Sequence, residues 1–348
     1  MKKIITILGF ILTIGIWTTG CGQKTAENAE TVVLEFGHFQ NPGHAIYVAV
    51  EEFKQLVEER SDGRVTVNIY PAGQLGSARE MMEQVSMGAL DIVTVDASDW
   101  GSTFDLPELG VFNLPFLCKD LDAQSEIIRS IVSVEVPKML EGTRLHYLMT
   151  YSNGIRQPLT KTRPIEKLED IKGMKMRTAE TKLYVDLWNC LGASTVTSAW
   201  SEAYTILQQG VADAVEADDV GLVNQNLQEV GNYMSTIGHL GQAYLVLINK
   251  EKWDSIPEDL QKIISECAAE NQEKQLSERK ALGEAAMQAI ADAGVEINDV
   301  SDEERTRMRE ACEPIYKEYE EMGLGGLIEQ MEQISEGSAA DQKASEIE

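Results

Sequence analysis

An arginine at the end of an apolar alternation is the first residue of this chain that asks for a chemical reason. In "IKGMKMRTAE", residues 171–180, Met174 and Met176 alternate as a strand would, and Arg177 follows at the strand end. The chain carries 57 Asp and Glu against 30 Lys and Arg, a formal net charge of −27, so its overall field opposes anions. A guanidinium offers a rigid fork of donors that matches a carboxylate and stays charged in a cleft, which points to a grip on an anion. The structural alternative is a rim salt bridge to an acidic neighbour such as Glu180.

Catalytic constellations are largely missing. No GxSxG, HExxH, P-loop or GxGxxG occurs, and the four histidines, His38, His44, His146 and His239, form no metal-ligand pair. Cys118, Cys190, Cys267 and Cys312 are far apart without a CxxC, so single buried thiols are the simpler reading beside a disulfide, and neither a metal nor a cofactor is expected. The acidic charge excludes nucleic acid and anionic membrane surfaces as electrostatic partners.

The elements that must position these residues follow an α/β grammar. "TVVLEFGHF" reads as a strand, and Ile46, Val50, Phe53 and Val57 share one helix face. "RVTVNIY", a helix opened by the capping box Ser77–Glu80, and "LDIVTVD" complete a βαβαβ run that predicts a mostly parallel sheet. The grammar restarts after Arg144 with "RLHYLMTYS", "GMKMRT", a helix over about 181–191, "STVT", a helix over about 200–209 and the strand "VADAVEA". Two lobes are therefore expected, and "AYLVLIN" at 243–249 suggests a return to the first. From Pro257 a helical pattern runs unbroken to Gly294, about 55 Å at 1.5 Å per residue, long enough to span both lobes. Gly283 inside it would permit either bending or close packing.

At the N-terminus two lysines and the apolar run Ile4–Trp17 read as an export signal, too short for a spanning helix. The ending Thr18-Thr19-Gly20-Cys21 resembles a bacterial lipobox, with Thr18 where Leu is usual, and implies lipidation of Cys21. The expected organisation is a signal over 1–20, a tether over 21–30, a first lobe from 31–153 and 244–283, a second from 154–243 and 284–333, and a disordered polar tail over 334–348.

An exported, two-lobed chain without catalytic signals points to a protein that captures a ligand between its lobes. Five stretches, "VNIYPAGQLGSAREMMEQVSMGALDI", "VFNLPFL", "NGIRQPLTKTRPIEKLEDIKGMKMRT", "WSEAYTILQQGVADAVEA" and "WDSIPEDLQ", resemble in order and spacing the solute-binding proteins of tripartite ATP-independent periplasmic (TRAP) transporters, the DctP family. The resemblance implies a two-lobed periplasmic-binding-protein-like fold whose Arg177 makes a bidentate salt bridge with a ligand carboxylate. It also implies that Arg156 contacts the same anion, that Asp96 takes part in ligand or water contacts, and that Trp200, Glu216 and Ala217 line the cleft. A core tryptophan is the alternative for Trp200. The family's Asp-Gly-x-Glu-Asn-Pro run is altered here, with Ala217 at the position of a ligand-binding Asn, and the prolines of its "PTP" stretch are absent from "STVTSAWSE". Asp218 and Asp219 would favour hydroxyls or an amine if they face the cleft, and would otherwise belong to a solvated loop. The implied partners are a small organic acid, either a sugar acid or other hydroxylated carboxylate or a C4-dicarboxylate, and the transporter's membrane subunits. A ligand sensor presenting to a membrane receptor, or an exported enzyme acting on acids, are the rival readings.

Overall fold

The computed structural model describes residues 31–345; the expected signal, the lipidation site Cys21 and the tether lie outside them. Ten strands occur among the described residues: β1 (Val32–Gly37), β2 (Val65–Tyr70), β3 (Ile92–Asp96), β4 (Leu145–Thr160), β5 (Lys175–Thr178), β6 (Ser194–Thr197), β7 (Ala214–Asp218), β8 (Tyr233–Thr236), β9 (Leu240–Asn249) and β10 (Glu296–Asp299). Local chemistry accounts for the helices between them. The Ala45–Arg60 helix buries the stripe Ile46, Val50, Phe53 and Val57, the capping box of Ser77 and Glu80 opens Ala78–Met87, and Gly88 ends that helix in the left-handed region.

The strands form one continuous sheet in the order β2-β1-β3-β9-β4-β7-β5-β6, with β8 against β4 and β10 against β8. It is mixed where a mostly parallel sheet was expected. Among the described residues every antiparallel pairing involves β4 or β9, whereas β1–β3 and β5–β7 pair in parallel as each βαβ run requires. Side-chain alternation reports that a segment is a strand but not which way its neighbour runs, so the two crossing strands were not legible as such.

The crossing strands also decide where the halves meet. Asp96 at the end of β3 pairs with Tyr244, which pairs with Tyr151 of β4, while Asp218 at the end of β7 pairs with Arg156 of β4. The parallel strands of the two halves therefore point their C-terminal ends at each other across residues 152–155. The register shifts there, between Ser152 and Gly154. Gly154 sits at φ +95°, and a Cβ on it would lie 2.1 Å from Arg279 Nη2. The strand read from the sequence as "RLHYLMTYS" ends at Ser152, yet the bulge lets it continue to Thr160.

The Glu258–Asp292 helix runs beneath this crossing. Its amides bond the backbone of β4 where that strand has β9 as its only strand partner among the described residues: Thr150 N donates to Gln272 Oε1 at 2.8 Å, and Ser152 exchanges bonds of 2.9 and 2.8 Å with Gln275. Toward its middle the helix bonds the first half, Asn271 Nδ2 donating to Ala49 O at 3.0 Å; further on, Arg279 pairs with Asp218 and Asp219 of the second. Gly283 serves close packing, since a Cβ would meet Asp219 Oδ2 at 2.6 Å. The polar stretch after 333, expected to be disordered, continues the Gly325–Ser345 helix over its described part, because buried Ser335 anchors it by accepting from Lys119 N at 3.0 Å.

Candidate ligand-binding site

Three arginines are buried among the described residues, and they differ in how their charge is met. Arg279 pairs with both Asp218 and Asp219. Arg156 pairs through Nε with the buried Glu216 carboxylate, donates to the Glu216 carbonyl, and gives Nη1 to Gln242 Oε1 at 2.8 Å, with its guanidinium over the Tyr184 ring. Burial disfavours the Arg156 charge, but Glu216 outweighs this and raises the guanidinium above the ordinary arginine range. Glu216 is correspondingly held down to about 2 against its own burial, chiefly by Arg156, and also accepts from Thr178 Oγ1 at 2.9 Å and contacts His239 Nε2 at 3.2 Å.

Arg177 has no such partner. It is 2% exposed at the end of β5, donates through Nε to Ser198 Oγ at 3.1 Å and through Nη2 to Ser198 O, and lies 5.4 Å from the centroid of the Trp200 ring. Among the described residues no carboxylate is within ion-pair distance, Glu180 included. Burial lowers the guanidinium to about 10, with Glu216 opposing the shift and Arg156 adding to it. Two of its five N–H donors are engaged, which leaves the remaining donor edge open to a bidentate acceptor.

The other expected residues fall around these arginines. Trp200 opens a short 3-10 turn and provides the face beneath Arg177. Val215 is the register partner of Arg177, so Ala217, two residues along β7, shares Arg177's side of the sheet, while Glu216 takes the other side with Arg156. The two-arginine clamp implied by resemblance is therefore unequal: Arg156 and Glu216 neutralise each other, and Arg177 does not share that pair. Asp96 is buried as well, accepting from Ser98 N at 2.8 Å, Asn113 Nδ2 at 2.7 Å and Tyr184 Oη at 2.9 Å. Burial nonetheless raises its carboxyl above the usual range.

Sequence reasoning missed Tyr184, Gln242, Asn153 and Asp99. Gln242 Nε2 donates to Tyr184 Oη at 2.8 Å and its Oε1 accepts from Asn153 Nδ2 at 2.7 Å, which continues to Asp218 Oδ1 at 3.1 Å. A lone glutamine inside the apolar run of β9, all of it buried, was the available signal. Asp99 accepts from Thr181, which joins the helix after β3 to the helix after β5. Burial first, then Asp96, raises the Asp99 carboxyl to about 7, with Thr181, Arg156 and Arg177 working against the shift. Asp218 and Asp219 form neither a free acidic wall nor a solvated loop, because Arg279 takes both. A surface hollow of about 470 Å³ lies beside Gly283 and Met287, but its one cation, Lys280, is ion-paired with Asp122. All four described cysteines are free thiols.

The comparisons with known proteins agree with this geometry. Residues 36–322 match the model of DctP, bacterial extracellular solute-binding protein, family 7. The chain belongs to the DctP family. It is 29% identical over 294 residues to the C4-dicarboxylate-binding periplasmic protein DctP of Rhodobacter capsulatus, covering 84% of this chain and 88% of that one. Among solved structures it resembles a TRAP periplasmic solute-binding protein from Chromohalobacter salexigens with bound D-glucuronate, with 27% identity, a TM-score of 0.81, and coverage of 86% and 99% of the two chains. One from Pseudomonas putida F1, also with D-glucuronate, gives 26%, 0.80, and 86% and 96%. The fold is thus the two-lobed architecture of TRAP solute-binding proteins, in a family of extracytoplasmic transporter substrate-binding proteins rather than enzymes. Among the described residues no helix is long and apolar enough to cross a membrane.

In this DctP-family protein the unequal neutralisation separates stability from binding. Arg156→Ala leaves Glu216 buried without its cation and is expected to cost about 3–5 kcal/mol. Arg177→Met removes a buried charge that has no counter-ion and is expected to leave the ligand-free melting temperature unchanged or higher; a loss comparable to that of Arg156→Ala would make Arg177 a structural residue. Asp99 yields a pH signature. Its folded-state carboxyl near 7 lies above the ordinary 3.8, so the folded protein binds the proton more tightly and is destabilised as pH rises through that window. Asp99→Asn is expected to melt higher than wild type at about pH 8, the gap closing by about pH 4. Equal melting temperatures across the range would refute the shift.

Proposed function

We propose that this protein captures a small organic acid anion, a sugar acid or other hydroxylated carboxylate or a C4-dicarboxylate, by bidentate pairing with Arg177, and delivers it to TRAP membrane subunits for uptake driven by an ion gradient. The observation that carries this reading is the buried guanidinium without a carboxylate partner. Keeping such a charge out of water is costly unless an anion meets it, and a planar carboxylate fits the open donor edge. The carboxylate would lie beside Trp200, whose ring backs the guanidinium. Arg156, held by Glu216, contributes field and shape, not a second free fork. The ligands bound by the glucuronate-binding relatives and by the Rhodobacter dicarboxylate-binding relative belong to the same chemical class.

Capture and release would proceed by opening and closing of the lobes, divided near 153/154, 243/244 and 283/284. The bulge at Ser152–Gly154, its β9 partners Gln242 and Ala243, and the packed Gly283 support those boundaries. In the closed form Tyr184–Asp96 and Thr181–Asp99 tie the helix after β5 to β3 and the helix that follows it. Closure over the acid lowers the local dielectric and strengthens its pairing with Arg177. Delivery requires the membrane subunits to favour the open form, since a partner only shifts an existing equilibrium. Cys21 is the proposed lipid-anchor point, placing the protein on the outer face of the cytoplasmic membrane.

A thermal-shift screen against organic acids is the direct test. A ligand at 100 times its Kd adds about 2.7 kcal/mol of stability. Arg177→Ala is expected to abolish the shift for every acid that stabilises wild type, and Arg177→Lys to weaken it, because a point charge cannot reproduce the fork; undiminished shifts in Arg177→Ala would end the assignment. For the anchor, Cys21→Ser is expected to move the protein from the membrane fraction to the soluble extract, and continued membrane association of that variant would exclude lipidation at this position.

A further inference from the structure

Two of the four described thiols are brought together by a pair of packed helices. The Lys182–Cys190 helix ends on Cys190, and the Glu313–Tyr319 helix starts directly after Cys312. The two run antiparallel. Lys182 Nζ pairs with Glu318 at 2.8 Å, Leu183 and Asp186 line one hollow with Ile315, Glu318 and Tyr319, and Asn189 and Cys190 line the next with Pro314 and Ile315. A step of about one turn along the first helix therefore answers to about one turn back along the second, from 182 opposite 318 to 186 opposite 315. The next turn sets Cys190 against Cys312, where the Asp302–Ala311 helix ends and the Glu313–Tyr319 helix begins.

Both sulfurs belong to the same apolar cluster, Cys312 fully buried within it and Cys190 partly exposed at its edge. Burial first, then Cys190, raises the Cys312 thiol above its ordinary range against Arg309; burial first, then Asp186, raises Cys190 against Lys182. The other two cysteines lie elsewhere. Cys118 packs on β9, where a Cβ on Gly241 would be 3.0 Å from its sulfur, and Cys267 sits in a separate core with Phe53 and Val57.

The family works outside the cytoplasm, where disulfides form and persist. We propose that Cys190 and Cys312 are oxidised to a disulfide as the exported chain folds, a staple between the helix after β5 and the C-terminal helices. One cysteine, as thiolate, attacks the disulfide of a thiol oxidant and releases its first thiol; the second cysteine attacks the mixed disulfide and releases the other. The pair loses two protons and two electrons, and the oxidant's disulfide takes both. Burial keeps both thiols protonated in the folded chain, so the exchange belongs to the folding chain, before the Glu313–Tyr319 helix covers Cys312. The staple closes a loop that holds β6 to β10 and the long helix, and stabilises chiefly by restricting the unfolded chain. It also ties the helix that brings Tyr184 to Asp96 to one whose Tyr316 Oη donates to Pro115 O at 2.8 Å. Neither cysteine is among the described contacts of Arg177, so the staple and the anion clamp stand or fall separately.

The full chain, exported by a periplasmic expression host and denatured in excess N-ethylmaleimide, tests this by peptide mass spectrometry without reductant. The Cys190 and Cys312 peptides are expected as one linked species, lighter than their sum by two hydrogens and split by dithiothreitol, with Cys118 and Cys267 alkylated. Alkylation of Cys190 and Cys312, or linkage of either to another cysteine, would overturn the proposal. In a second measurement the exported protein is expected to melt about 5 °C above the same chain reduced in denaturant and refolded in dithiothreitol. Cys190→Ser, a small change at a partly exposed position, is expected to erase that difference while still folding. No difference in wild type, or an undiminished one in Cys190→Ser, would remove the staple.

Discussion

The organising constraint of this molecule is the uneven neutralisation of three buried arginines in a strongly acidic chain. With 57 acidic residues available, every buried guanidinium could have been matched internally, and two are: Arg156 by Glu216, and Arg279 by Asp218 and Asp219. Among the described residues Arg177 is held only by Ser198 and the Trp200 ring. A charge kept from water without a counter-ion lowers stability, so such a group persists where function needs it. With Arg156 and Arg279 each paired to carboxylates, Arg177 is the buried guanidinium that lacks one among the described residues.

That arrangement depends on the crossing of β4 and β9. Because both strands run antiparallel to their outer neighbours, the parallel halves of the sheet are turned to face each other, and Asp96, Thr178 and Asp218 arrive at strand ends bordering one gap. Open α/β sheets hold ligands at the C-terminal ends of their parallel strands, and here two sets of such ends share a single site. The bulge at Ser152–Gly154 shifts the ladder at that point, and the glutamines of the long helix bond the β4 backbone just before it, where no strand but β9 is paired among the described residues. One helix therefore bonds the crossing with Gln272 and Gln275 and neutralises the neighbouring acids with Arg279.

Much of the local structure was legible from the chain alone, and for identifiable reasons. The alternation of β1, β2, β3 and β5, the apolar stripe of the Ala45–Arg60 helix, the Ser77 capping box and the run from Pro257 to Gly294 are signals set by residues within a few positions of one another. The continuation of the Leu145 strand past Ser152 was not legible, because only the strands alongside decide that Asn153-Gly154 forms a bulge rather than an end. The role of the amides on the long helix was not legible, since nothing in its own sequence reveals that the backbone of β4 lies opposite.

The same division holds at the site. Sequence alone determined that an arginine closes the β5 strand, that the chain around it is acidic, and that its motifs are those of the DctP family. Only the tertiary structure decided that Arg156 is already spent on Glu216, that Asp218 and Asp219 belong to Arg279, and that Asn153, Tyr184, Gln242 and Tyr244 meet at the crossing. Residue type and spacing specify what a side chain is able to bond, whereas its actual partners come from strands and helices 60 or more residues away, as with Arg156 and Glu216 or Arg279 and Asp218.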